Sequence, residues 1–276
     1  MAYKRILTIQ DISCVGQCSL TVALPILSAC GLETAILPSA LLSTHTAGFS
    51  GYTFRDLTED IPAVQAHWEK EGIRFEAIYT GYLGSSKQIA YVEELMNSVG
   101  TQSCIRIVDP AMADNGKLYP GFDMEYVKCM KHLAFNADYI LPNITEACLL
   151  TGTEYRKEYD KTYIDTLLKG LADQGAKNII LTGVSYRPDR TGVIIYRDGK
   201  TQYYEHQLIT PGCHGTGDVY ASAFVGALMN GKDPASAAAI AADYTVKCIQ
   251  NTQGDPDHWY GVKFETALPE LMMHMR

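Results

Sequence analysis

Residues 215–218 read Gly-Thr-Gly-Asp, and a long Ala-rich apolar run with helical character follows at once. A helix starting near Gly217 exposes its first N–H groups, and its dipole favours negative charge there. Glycine lets backbone approach a ligand closely and lets N–H groups converge. Gly215, Thr216 and Gly217 therefore form a candidate hole for a phosphate or a developing oxyanion. Asp218 sits in the first turn, where a carboxylate is also a common stabilising choice. Beside an anion hole it can accept a proton from an alcohol while the hole neutralises a transferring phosphoryl group.

Other motifs carry less. Gly226 to Lys232 imitates a phosphate-binding loop up to its lysine, but Asp233 follows instead of Ser or Thr, so it reads as a helix end. Cys213-His214 places thiol and imidazole on adjacent residues, a poor geometry for nucleophile and base. Cys14 and Cys18 are four apart, but no Cys/His pair with zinc-like spacing follows. The Asn143-Ile-Thr sequon has no signal peptide to make it meaningful.

These residues need elements to hold them. Short β-rich runs at 5–10, 33–38, 76–81, 104–110, 137–143 and 177–183 alternate with helical patterns at 17–30, 61–71, 86–98, 122–133, 144–151 and 160–174. Such alternation predicts βαβ units and a mostly parallel sheet covered on both faces. Asp198-Gly199 joins two β-rich runs over 191–207 as a hairpin, adding antiparallel edge strands. Helices at 217–230, 234–249 and 264–275 finish the chain. With no linker or repeat, the expectation is one three-layer α/β/α domain over 1–276. Ligands of open α/β sheets lie beyond the carboxyl ends of the strands. That rule lines up Asp11, Thr80-Gly81, Asp109-Pro110, Pro142-Asn143 and Thr182-Gly183 along one edge.

Composition is that of an ordinary globular chain and argues against disorder. Of 276 residues, 47% are hydrophobic and 20% charged, and the net charge is −8. Basic residues are scattered, which argues against nucleic acid as a partner; an anion must be held locally, by backbone dipoles or a metal. Pro25, Gly31, Glu33 and Pro38 interrupt the apolar region 21–42, so it reads as a core helix, a turn and a strand, not a membrane span. The strand-like opening, without a secretory signal, makes reduced thiols and a cytoplasmic location the expectation.

Taken together, the motifs resemble the pyridoxal (vitamin B6) kinases of the ribokinase-like superfamily. "ILTIQD" opens the chain as in those enzymes, and "LLSTHTAGF" is similar to their Ser-Asn-His-Thr-Gly loop. "TGYLGS" (80–85), "VDPAMADNGKLY" (108–119), "ADYILPNITEACLLTG" (137–152) and "HGTGDVYASAFVGAL" follow in the family's order. The resemblance implies a ribokinase-like fold without a separate lid domain, and phosphorylation of the 5′-hydroxyl of pyridoxal, pyridoxamine or pyridoxine by ATP. It implies that Asp218 is the base and that Gly215, Thr216 and Gly217 form the anion hole. It also implies that Asp109, Asn143 and Glu146 organise Mg²⁺ and the ATP phosphates, with Asp109 and Glu146 toward the metal. Thr182 would lie near the phosphates, and Asp114 near the phosphates or a monovalent cation. Asp11, His45, Thr46 and Tyr82 would contact the vitamin, the 43–56 loop would close over it, and the protein would be a homodimer.

Several residues have a second reading. Asn143 and Glu146 can cap the helix after Pro142. Tyr82 can be sheet-edge packing. His45 and Thr46 can serve their own loop. Asp11 stands where the family usually has Ser, and Leu141 stands where a Thr often lies near a monovalent cation, which speaks against potassium dependence. The nearest alternative is a hydroxymethylpyrimidine kinase of thiamine synthesis; those enzymes usually carry Gly-Thr-Gly-Cys, and Asp218 disfavours that reading. A second alternative is a non-catalytic vitamer-binding protein, against which the intact Gly-Thr-Gly-Asp stands.

Overall fold

The apolar runs form strands buried on both faces, and the amphipathic segments between them supply the cover. The computed structural model describes residues 3–210 and 212–275. Met1, Ala2, Pro211 and Arg276, part of the domain expected over 1–276, lie outside the described residues. In chain order the first elements are β1 (Arg5–Ser13), α1 (Leu20–Ala29), β2 (Glu33–Leu42), β3 (Phe54–Asp56), α2 (Ile61–Lys70), β4 (Phe75–Thr80), α3 (Ser86–Val99) and β5 (Gly100–Val108). A small hairpin, β6 (Ala113–Asp114) and β7 (Lys117–Leu118), precedes α4 (Met124–Phe135), β8 (Tyr139–Ile140), α5 (Ile144–Thr151) and α6 (Lys161–Asp173). β9 (Asn178–Arg187), β10 (Arg190–Arg197) and β11 (Lys200–Gln207) lead to α7 (Thr216–Met229), α8 (Pro234–Thr252) and α9 (Leu268–His274).

The main sheet has the order β11-β10-β9-β8-β5-β4-β1-β2-β3. Strands β2, β1, β4, β5, β8 and β9 run parallel. One hydrophobic cluster packs α2 to α6 on one face, with Ile89, Val92, Leu133, Leu150 and Leu167 in its interior. The other packs α1, α7 and α8 on the opposite face, around Ile26, Phe224 and Ala241. The three-layer α/β/α architecture is as the sequence predicts. No helix is long and apolar enough to cross a membrane, among the described residues.

α7 is buried on nearly every side, from Val219 to Ala227. Its Ala and Gly residues allow that: a Cβ on Gly226 would meet Cys30 Sγ at 2.5 Å. Beyond its end Gly231 has φ +84°, so the Gly226–Lys232 segment is a helix end. The Asp198-Gly199 turn joins β10 to β11 with both residues at positive φ, the geometry of a type I′ hairpin.

Some boundaries differ from expectation. α1 begins at Leu20, not 17, because Gly16 and Ser19 both have positive φ. β2 runs on to Leu42 because β3, the end of the expected 43–56 loop, pairs antiparallel with it and makes a second antiparallel edge. β8 keeps only two of the seven residues expected over 137–143, since Pro142 has no N–H for the ladder and Asn143 already caps α5. β9 continues past 183 because β10 pairs with it. The C-terminal helix splits into a 3₁₀ turn, Phe264–Ala267, and α9.

Candidate active site

The parallel ladder aligns the polar strand ends. Gly81 N–H donates to Ile9 O (3.2 Å), Asp109 N–H to Thr80 O (2.9 Å), Leu141 N–H to Val108 O (3.0 Å), and Thr182 N–H to Pro142 O (2.9 Å). Asn143 and Thr182 form a further parallel bridge. Asp11, Gly81, Asp109, Asn143 and Thr182 thus share one edge, as the strand-end rule predicts. Asp11 and Thr182 lie inside their strands and not beyond them.

α7 starts at this edge with Gly215 as N-cap, in the left-handed region at φ +75°. A Cβ there would overlap the carbonyl oxygen of Gln17, so the turn needs glycine for both conformation and space. A Cβ on Gly217 would meet no protein atom within 4 Å, so the first turn of α7 faces open space. Its initial N–H groups have no intrahelical acceptor and point there. Burial pushes the Asp218 carboxyl up to about 6; the Ser19 N–H opposes the shift and the Asp11 charge adds to it.

Asp11 is buried, and both its oxygens are engaged. Ser13 Oγ donates to Oδ2 at 3.0 Å and Ser19 Oγ to Oδ1 at 2.5 Å. Burial raises its pKa, while these two serines counter the shift. The structure therefore places Asp11 at the site but occupied by serines.

Asn143 and Glu146 form a full capping box on α5. Glu146 N–H donates to Asn143 Oδ1 and Asn143 N–H to Glu146 Oε2, both at 2.9 Å. Glu146 also accepts the Met112 N–H at 3.1 Å, and Asn143 Nδ2 donates to Ala113 O at 2.8 Å. The two residues thus fasten the 112–113 segment beside Asp109. Asp109 is raised well above the usual carboxylate range, first by burial, then by the charges of Glu146 and Asp218. Glu146 is raised too, by burial, against its backbone donors. Among the described residues, no lysine or arginine pairs with Asp11, Asp109, Glu146 or Asp218. Asp114 lies in the β6–β7 hairpin, with its oxygens taken by the N–H and the side-chain amide of Asn115 at 2.8 and 2.9 Å. Thr182 Oγ1 reaches Pro142 O at 3.4 Å.

The 43–53 loop lies over the Asp11 end. His45 is buried; its Nδ1 accepts the Ala47 N–H at 3.2 Å, so Nε2 carries the proton it donates to Tyr260 O at 2.7 Å. Both ring nitrogens are spent within the protein, and burial lowers the imidazole pKa. Thr46 is exposed at the loop surface. Tyr82 is half-buried and stacks on Phe122, with centroids 5.5 Å apart. Its phenol is pushed up to about 12 by burial and by the charges of Asp11 and Tyr52.

The sequence reading missed four participants. Ser19 donates its hydroxyl to Asp11, and its N–H lowers the Asp218 pKa against burial. Tyr119 lies in the field of Glu146, Asp114, Asp109 and Asp218, which raises its pKa behind the effect of burial. Tyr79 is fully buried, near Asp109 and Asp218, and its hydroxyl faces Ser222 and Gln10. The β6–β7 hairpin that carries Asp114 was also missed. Only the hairpin had a sequence signal: Asn115-Gly116, both at positive φ, is a type I′ turn.

The sequence profile described as phosphomethylpyrimidine kinase matches residues 26–261. A Bacteroides thetaiotaomicron protein, provisionally assigned as a phosphomethylpyrimidine kinase and crystallised with pyridoxal, superposes with a TM-score of 0.92 at 36% identity. The match covers 98% of this chain and 96% of that one. Pyridoxal kinase from Lactobacillus plantarum superposes with a TM-score of 0.91 at 34% identity, over 99% of this chain and 98% of that one. The pyridoxine/pyridoxal/pyridoxamine kinase of Bordetella bronchiseptica is 27% identical over 261 residues, which span 90% of this chain and 89% of that protein.

Proposed function

The chain belongs to the phosphomethylpyrimidine kinase family, phosphotransferases acting on an alcohol group, and on that premise we propose that it phosphorylates the 5′-hydroxyl of pyridoxal, pyridoxamine or pyridoxine with ATP. The observation that carries the mechanism is the desolvated Asp218 carboxyl at the open first turn of α7. Asp218 takes the hydroxyl proton as the substrate oxygen bonds to the γ-phosphorus. The bond from that phosphorus to the β-phosphate oxygen breaks, and ADP leaves. N–H groups of Gly215, Thr216 and Gly217 neutralise charge on the transferring group. A base with pKa near 6 is ionised at neutral pH yet basic enough to share a proton.

Asp109 and Glu146, carboxylates with no lysine or arginine partner among the described residues, fit a hard cation, and Mg²⁺ held there would offset phosphate charge. No group of three or more ligating side chains is preformed among the described residues. That pattern fits a Mg²⁺ held mainly by phosphates and water, with one or two carboxylates. Asn143, Asp114 and Thr182 stand on the same side of the edge and line the phosphate path. Tyr82 and the 43–53 loop cover the vitamin and exclude water.

A second reading has its own support, since the matching family profile is described by a pyrimidine substrate. Transfer to hydroxymethylpyrimidine would use the same base and anion hole. ADP release with MgATP against pyridoxal, pyridoxamine, pyridoxine and hydroxymethylpyrimidine separates the two. Turnover on the pyridines supports the vitamin B6 reading; turnover on the pyrimidine alone replaces it. ATP binding without turnover on any of them favours a binding protein.

A further inference from the structure

Ser19 breaks two local rules at once. It is the N-cap of α1, a position where serine normally accepts a helix N–H, yet its side chain makes no cap. Its backbone has φ 54° and ψ −134°, a region that glycine visits and a β-carbon disfavours. Local rules broken together mark sites where something else is being satisfied. Here that is a pair of carboxylates. The Ser19 hydroxyl, freed from capping, donates to Asp11 Oδ1 at 2.5 Å, and Ser13 holds the other oxygen of Asp11. The Ser19 N–H acts on the Asp218 carboxyl, lowering its pKa against the effect of burial. Ser19 and Asp11 are 6% exposed, so bulk water does not compete for these bonds. Gln17, two residues earlier, packs its carbonyl against Gly215, which fixes the loop to the turn that carries Asp218.

We propose that Asp11 and Ser19 are positioning residues: Asp11 clamps the Ser19 hydroxyl, which holds the Ser19 backbone in its left-handed conformation, so that its N–H fixes the Asp218 carboxylate for proton abstraction. This rests on Asp218 being the base. Asp11 then acts through Ser19 and makes no direct contact with the substrate.

The chemistry of the clamp sets the test. Ser19→Ala deletes the hydroxyl and keeps the β-carbon, so the backbone relaxes and the N–H swings away. Ser19→Gly deletes the same hydroxyl but adopts φ 54° freely, so the N–H can stay. Asp11→Ala removes the clamp, and Asp11→Asn keeps one acceptor for Ser19. Steady-state kinetics with pyridoxal at saturating MgATP are measured for the four variants, with Asp218→Asn in parallel and thermal melts on each.

Ser19→Ala and Asp11→Ala are expected to lower kcat by ~10-fold or more, the scale of a misplaced catalytic group, with KM for pyridoxal within about twofold. Ser19→Gly and Asp11→Asn should each keep several-fold more turnover than the matching alanine variant. Adding Ser19→Gly to Asp11→Ala should restore turnover. Equal damage in Ser19→Ala and Ser19→Gly overturns the proposal, as does a raised KM with unchanged kcat in Asp11→Ala. If Asp11→Ala fails to fold, the Ala/Gly comparison at Ser19 decides alone. Unimpaired Asp218→Asn removes the base assignment and this inference with it. A collapsed Asp218→Asn beside unimpaired Ser19→Ala and Asp11→Ala removes the inference only.

Discussion

His45 Nε2 lies 2.7 Å from the carbonyl oxygen of Tyr260 and ties the 43–53 loop to a segment 215 residues away. Aromatic packing reinforces the tie. Phe49 lies against Trp259 with centroids 4.6 Å apart, and His45 meets Phe49 edge-on at 5.0 Å. Gly48 sits so close to Trp259 that a Cβ would come within 2.8 Å of the indole. The C-terminal segment therefore holds the loop over the Asp11 end of the strand edge, where the substrate is proposed to lie.

Trp259→Ala tests that hold. An aromatic pair contributes about 0.5–1.5 kcal/mol beyond its buried area, or about 2–10-fold in an equilibrium constant. KM for pyridoxal should rise by that factor while kcat at saturation stays within about twofold. Cleavage of the 43–53 loop by a low dose of protease should speed up in parallel. An unchanged KM would show that the loop keeps its place without the C-terminal segment.

Asp218→Asn separates chemistry from stability. Turnover should fall by at least ~10²-fold, the general-base scale. In the wild-type enzyme, kcat/KM should lose about tenfold per pH unit below about 6, where Asp218 becomes protonated. The sign for stability is opposite. A carboxyl raised in the folded state favours folding when protonated, so its contribution is complete below 3.8 and lost as pH rises through about 6. The ligand-free Asn variant should therefore melt higher than wild type at pH 8, by a margin that closes toward pH 4. Melts across that window check it.

The shared edge of Asp11, Gly81, Asp109, Asn143 and Thr182 was legible because strand runs and their polar ends are local patterns. The capping box was legible from the Asn-x-x-Glu spacing of Asn143 and Glu146. Ser19 was not, because a backbone twist at one residue has no sequence signature when the residue is not glycine or asparagine. The partner of His45 was not legible either, since a contact across 215 positions is set by the packed fold and not by the chain around it. β3 escaped notice because its three exposed residues are fixed only by pairing with β2.

Glu146 has a structural and a chemical task, and Glu146→Ala separates them. Removing its side chain orphans the N–H groups of Asn143 and Met112. That should destabilise the protein by about 2 kcal/mol, the sum of a lost cap and a buried unsatisfied donor. If Glu146 also lies near the metal, the Mg²⁺ concentration for half-maximal turnover should rise about tenfold or more, within the range seen when metal-site groups are removed. A lower melting temperature with unchanged Mg²⁺ dependence would leave Glu146 as a cap alone.

Gly215 and Gly217 are two residues apart and should respond oppositely to the same methyl group. Ala at Gly215 must adopt φ +75° with its Cβ against the Gln17 carbonyl. The turn or the 14–19 loop must move; the turn leads directly into Asp218, and the loop packs against the turn. Gly215→Ala should destabilise by more than about 1 kcal/mol and lower kcat by ~10²-fold, as displacement of about 1 Å can do. Gly217 lies in the first helical turn, and a Cβ there meets no protein atom. Gly217→Ala should therefore stabilise the fold by up to ~1 kcal/mol, through helix propensity. Its methyl group would project into the space assigned to the transferring phosphate, so KM for ATP should rise and kcat should fall. A Gly217→Ala variant that melts higher and phosphorylates pyridoxal at the wild-type rate would mean that the phosphate does not pass over this turn, and the anion hole would have to be sought elsewhere on the edge.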